Sequence, residues 1–70
     1  MLNYKEIHIG KHIKTIMQVK GISLAGASYF FKCSSNDILK MYNKETLEAS
    51  VLLMWSKFLD YNFFMFYIIF

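Results

Sequence analysis

The sequence predicts an all-α fold, a compact bundle of about five short helices built around a central helix-turn-helix. Three observations lead there. Apolar residues recur at helical spacing in successive blocks, and the blocks are separated by glycine or by short polar clusters. Serines suited to N-capping stand at the starts of two blocks, Ser23 and Ser34. Within Ser23 to Tyr42 (SLAGASYFFKCSSNDILKMY) two helical patterns lie back to back, with only Lys32-Cys33 between the end of one and Ser34, which opens the next.

Met1 to Glu6 forms a polar lead-in. From Ile7, the residues Ile9, Ile13, Ile16 and Met17 recur on one face of a helix of about three turns, while Lys11, Lys14, Thr15 and Gln18 fall mostly elsewhere. That helix should stop at Lys20-Gly21, because glycine takes the left-handed conformation after a last turn without strain. The next block places Leu24, Ala27, Ser28 and Phe31 on one face, behind the cap Ser23. In the third, Ile38 and Met41 face inward, and Ser34 with Asp37 has the spacing of a capping box: hydroxyl to the Asp37 N–H, carboxylate back to the Ser34 N–H. Asn43-Lys44-Glu45-Thr46 reads as a loop. Leu47 to Leu59 follows as a helix with Val51, Leu52, Trp55, Ser56 and Leu59 at helical spacing and Glu48 near its positive end. Asp60-Tyr61-Asn62 breaks it, and Phe63 to Phe70 (FFMFYIIF) is a chargeless tail: a final helix closing the core, an exposed dimerisation or aggregation patch, or the start of a longer element.

Seventy residues make one domain, close to the size below which a single apolar core needs help to stay folded. With 56% apolar residues, among them seven Phe, five Tyr and one Trp, some aromatic surface should stay exposed or be covered by a partner, and homodimers formed through it or through the tail are expected. Tyr29-Phe30 is the segment expected outside. The twenty residues Val51 to Phe70 would suffice to span a bilayer, but Lys57 and Asp60 would each cost roughly 2.5 to 3.5 kcal/mol there, so no span is expected. The single cysteine, Cys33, and the absence of a secretory pattern fit a cytoplasmic protein.

Eight lysines, no arginine and five acidic residues leave a net charge of +3, a mild bias towards phosphate-bearing partners. Without arginine the usual bidentate contact to guanine is lost, and base reading falls to Asn36, Ser35 and Lys40. Asn36 can pair with both edge groups of adenine, and Lys40, one turn on, reaches a guanine acceptor or a phosphate. Lys32 and Lys44, with Lys11, Lys14 and Lys20, are candidates for the phosphate backbone, and Ser34 can cap and donate to phosphate together. The candidate DNA-contacting set is therefore Lys32, Ser34, Ser35, Asn36, Lys40 and Lys44. His8 and His12 have a chelating spacing, but nothing nearby completes a metal site. The acids Glu6, Asp37, Glu45, Glu48 and Asp60 are scattered and no glycine-rich phosphate loop exists, so no catalysis, cofactor or small-molecule substrate is expected.

Gly10, Ile13, Ile16, Gly21-Ile22-Ser23-Leu24, Phe31, Cys33-Ser34, Ile38, Leu52, Ser56 and Leu59 resemble the lambda-repressor-like helix-turn-helix family of the Cro and XRE type. The likeness is to its short bacterial members, with openings similar to Ile7-His8-Ile9-Gly10-Lys11 and closings similar to Leu59-Asp60-Tyr61-Asn62-Phe63-Phe64, and it runs from Ile7 to about Phe64. The resemblance implies an all-α domain that binds duplex DNA, usually as a dimer, and regulates transcription. Lys32 stands where the family commonly has glycine, Ser28 where it has alanine, Met17 where it often has arginine, and Leu24 or Ala25 where it often has a polar phosphate contact. Similar short proteins are labelled transposase-associated. The alternative expectation is a protein-interaction domain, or a remnant derived from a mobile element, that has lost DNA affinity.

Overall fold

The computed structural model describes residues 8–66, so the lead-in, Ile7 and the last four tail residues lie outside it. Four α-helices follow in order, α1 (Ile9–Lys20), α2 (Leu24–Phe31), α3 (Ser35–Tyr42) and α4 (Ala49–Leu59), then a 3-10 turn at Phe63–Phe66. No strand occurs among the described residues, and none of their helices is long and apolar enough to cross a membrane.

The local stop and start signals act as their chemistry dictates. Gly21 takes φ 67 and ends α1, its N–H returning to the Gln18 and Met17 carbonyls. The Ser23 hydroxyl accepts from the Gly26 N–H at 3.2 Å and opens α2. One start came from an unexpected residue: His8 caps α1, its Nδ1 accepting from the Lys11 N–H at 3.1 Å.

Where the sequence predicts about five helices, the described residues form four and a single 3-10 turn at Phe63–Phe66, the end of the tail lying outside them. Asp60, left-handed at φ 50, ends α4. The Phe63 N–H then goes back to the Tyr61 carbonyl at 3.1 Å and to Ser56 Oγ at 3.4 Å, and the Phe64 N–H to Asn62 Oδ1 at 3.1 Å, so two donors at the start of the tail are already committed. Phe63 is fully buried, Phe64 half-buried and Met65 exposed: the start of the tail closes the core. The start of α4 is also corrected, from Leu47 to Ala49. The loop before it turns the Lys44 and Glu45 carbonyls towards α1, Leu47 packs on the core, and Glu48 is extended at φ -60 and ψ 148 with no side-chain cap bond, so helical geometry resumes only after it.

The core gathers Ile9, Ile13 and Met17 from α1, Ala27 from α2, Ile38 and Tyr42 from α3, Leu52, Trp55 and Leu59 from α4, and Phe63. Trp55 is completely enclosed; its indole N–H meets Met41 Sδ at 3.4 Å, and Phe31 lies 4.4 Å from it between ring centroids. Phe30 stacks 4.7 Å from Phe58, so an aromatic ladder joins α2 to α4.

The tightest joint is between α1 and α3. The Ile9 and Gly10 N–H groups, which a helix start leaves without intrahelical partners, donate to the Glu45 and Lys44 carbonyls at 3.0 and 2.9 Å. This requires the first turn of α1 to lie directly on the last turn of α3. A Cβ on Gly10 would collide with the Tyr42 carbonyl and stand 2.5 Å from the Met41 carbonyl oxygen, both rigid backbone. Gly10→Ala should therefore lower stability by about 2–4 kcal/mol in urea unfolding. Gly26→Ala, whose Cβ meets side chains at an ordinary 3.6 Å, should instead be neutral or add up to about 1 kcal/mol.

On the other side of α1, His12 Nε2 lies 3.1 Å from the Tyr61 hydroxyl, and its ring meets Tyr61 and Phe63 edge-on at 5.4 and 5.1 Å. Burial among these rings lowers the His12 pKa from its ordinary 6.5, because the charged imidazolium loses hydration there. Below 6.5 the unfolded chain takes up the proton more readily than the folded one, so this histidine's contribution is intact above 6.5 and declines as pH falls through that value towards the folded pKa. In thermal unfolding, Tm should fall as pH drops below 6.5, and His12→Gln should flatten that part of the profile.

Candidate nucleic-acid interface

The sequence from Ser23 to Tyr42 folds as the two helices and tight turn its caps dictate. Lys32 ends α2 with a left-handed backbone, φ 56 and ψ 46, and the Cys33 N–H bonds to the Ser28 carbonyl at 3.1 Å. Lys32 thus adopts the conformation usually left to glycine, which lets α3 begin two residues later. The capping box at its start is complete: Ser34 Oγ accepts from the Asp37 N–H and the Asp37 carboxylate from the Ser34 N–H, both at 3.2 Å. Ser28 Oγ of α2 and Ser35 Oγ of α3 lie 3.1 Å apart across the angle between the helices.

These contacts fix which side of α3 faces outward. Ile38 is fully buried and Tyr42 nearly so. At 3.6 residues per turn, Asn36 and Lys40 each lie about 160° around the helix from Ile38, one turn apart on the outer face, and Asn43 continues that row at about 140°. All three are exposed. Asp37 lies about 100° from Ile38 on one flank of that face, held by the capping box, and Leu39 about 100° away on the other.

All six predicted residues, Lys32, Ser34, Ser35, Asn36, Lys40 and Lys44, are exposed, but they line the helix from end to end and do not converge. Lys32 stands at the turn before α3, beside Tyr29 and Phe30 in an open groove. Asn36 and Lys40 occupy the middle. Lys44 follows the C-terminal end, where its carbonyl holds the start of α1. Ser34 and Ser35 are tied up in part: the first spends its acceptor on the cap, and the second shares a hydrogen bond with Ser28. Lys14 belongs to the same side as α3, in a shallow groove with Gln18, Leu24 and Leu39. Lys20 does not, because its ammonium lies 3.4 Å from the Asp60 carbonyl at the far end of α4.

Asn43 begins the loop after α3, as the sequence predicts, and as the C-cap of that helix it also continues the outer row. Leu39, 43% exposed, is a residue of this face that the sequence analysis does not single out. Tyr29, at 89%, and Phe30, at 40%, are exposed as expected. Cys33 is half-buried against the core, and desolvation followed by the nearby Asp37 carboxylate pushes its thiol pKa up, away from the reactive thiolate. His8 and His12 point to different tasks, a helix cap and the Tyr61 hydroxyl, and no group of three or more His, Cys, Asp or Glu suited to a metal gathers among the described residues.

No family model matches this chain, and no curated protein or solved structure matches it either.

The left-handed backbone at Lys32 carries a steric penalty that glycine would not. Lys32→Gly should raise stability by about 0.5–1 kcal/mol in denaturant unfolding, net of the extra entropy glycine adds to the unfolded chain.

Proposed function

We propose that the chain is a sequence-specific duplex-DNA-binding protein, a small helix-turn-helix regulator of transcription acting in the cytoplasm without a cofactor or catalytic activity. The observation that carries this reading is the outer face of α3: Asn36, Lys40 and Asn43 form one exposed row opposite buried Ile38, on a helix braced by α2 and capped by its own serine and aspartate. A helix about 12 Å long with donors and acceptors along one side suits the major groove, where base edges present a distinct pattern for each pair. The resemblance to lambda-repressor-like proteins supports the same assignment.

In this reading Asn36 and Lys40 meet base edges, and Lys32, Lys44 and Lys14 meet phosphates on either side. Ser34 and Ser35 donate their remaining hydroxyl capacity to the backbone at the positive end of α3. Binding as a homodimer places two such helices in successive major grooves, about 34 Å apart.

A second reading is favoured by a different observation. Tyr29 and Phe30 form an exposed aromatic pair at the end of α2, and no arginine is present to strengthen a DNA contact. This describes a protein-interaction domain, or a mobile-element remnant, whose partner covers the aromatic pair.

Selection from a random duplex library at near-physiological salt separates the two. A regulator enriches a consensus in two half-sites about one helical turn apart, and its affinity falls with salt by about 0.9 per phosphate neutralised on a log–log plot. Lys40→Glu should abolish that enrichment while leaving the urea midpoint unchanged, since the residue is exposed. A folded protein that enriches nothing supports the interaction reading.

A further inference from the structure

Leu39 is an anomaly within the polar side of α3. It is 43% exposed on a helix of eight residues whose inward face is already filled by Ile38, Tyr42 and half-buried Met41. Its neighbours on either side of the outer row are Asn36, one turn before, and Asn43, one turn after. Leu39 is left out of the buried core and exposes apolar surface on the flank of the face assigned to DNA.

We infer, resting on the DNA-binding reading above, that Leu39 is a specificity-determining residue that recognises the C5-methyl group of thymine in the major groove. Three observations make the assignment. The residue lies about 60° around the helix and about 4.5 Å along it from Asn36, so an element that brings the Asn36 amide to a base edge brings Leu39 to the side of the same groove about one to two base steps on. The methyl of thymine is the apolar group that base edges offer in that groove, and burying an exposed leucine against it removes apolar surface from water on both partners. On the side towards α1, Leu39 borders a groove with Lys14, Gln18, Leu24 and the buried Met17 and Tyr42, which places the exposed Lys14 beside it to hold the adjoining phosphate backbone.

The combination sets the class of site. Asn36 pairs with adenine, Leu39 contacts thymine, and no arginine is available for guanine, so each half-site contains A·T pairs beneath the N-terminal and middle turns of α3. The two residues read different chemistry: the amide takes hydrogen-bonding groups, and the leucine takes a methyl group.

The test is a selection run in parallel on two random duplex libraries, one containing thymine and the other deoxyuridine in its place, which differ only in the C5-methyl groups. The full chain should enrich a thymine at one fixed position of each half-site in the first library. In the second that preference should fall about threefold to fivefold, as expected for one buried methyl, while the adenine preference is kept. Leu39→Ala and Leu39→Gln should each give the same consensus from both libraries. A wild-type consensus equally strong in thymine and deoxyuridine overturns the role of Leu39 and leaves DNA binding standing. No consensus from either library overturns this inference together with the reading on which it rests.

Discussion

The structure depends on a place where no side chain is allowed. The first turn of α1 lies on the last turn of α3 so closely that the Ile9 and Gly10 N–H groups bond to carbonyls of the loop beyond α3, and a single methyl on Gly10 would enter the Tyr42 carbonyl. That joint satisfies donors a helix start would otherwise leave to water, and it fixes the far end of α3. The near end is fixed by the capping box and by the Ser28–Ser35 contact with α2. With both ends held and Ile38 buried, α3 has little freedom to roll, and the row Asn36, Lys40, Asn43 keeps its outward direction. A reading face is useful only if its orientation is set before the partner arrives.

Much of this was legible in the sequence because its causes are local. Gly21 as a left-handed stop, Ser23 and Ser34 as caps, and Asp37 completing the box each involve residues within a few positions of one another. The spacing of Ile9, Ile13 and Met17 named the buried side of α1 for the same reason. Lys32 in the place of a glycine was visible as a conflict, and the backbone resolves it by accepting the strain.

What stayed hidden was non-local. Gly10 is an ordinary residue of a helical pattern until α3 is laid against it. Leu47 and Glu48 fit the periodicity of α4 yet stand outside it, because the loop's carbonyls are drawn to α1, a partner more than thirty positions earlier. The sequence allows the tail several fates, and the contact between the Tyr61 hydroxyl and His12, 49 positions apart, is one that helps seat its start on the core. For the candidate site, the six residues named from sequence are all exposed along α3 and its flanks, but periodicity alone did not single out the 43% exposed Leu39 beside them.

The length of α3 has a further consequence. Eight residues rise about 12 Å, which spans roughly four base pairs of a duplex that rises 3.4 Å per pair. Choosing among four bases at four places conveys about eight bits, whereas locating one address among the roughly million to billion sites of a genome takes on the order of twenty to thirty. If α3 reads DNA as proposed, one such helix would address a neighbourhood of sequence; a pair would double the message, and the rest would have to come from the shape of the DNA between them or from company on the same stretch of chromosome.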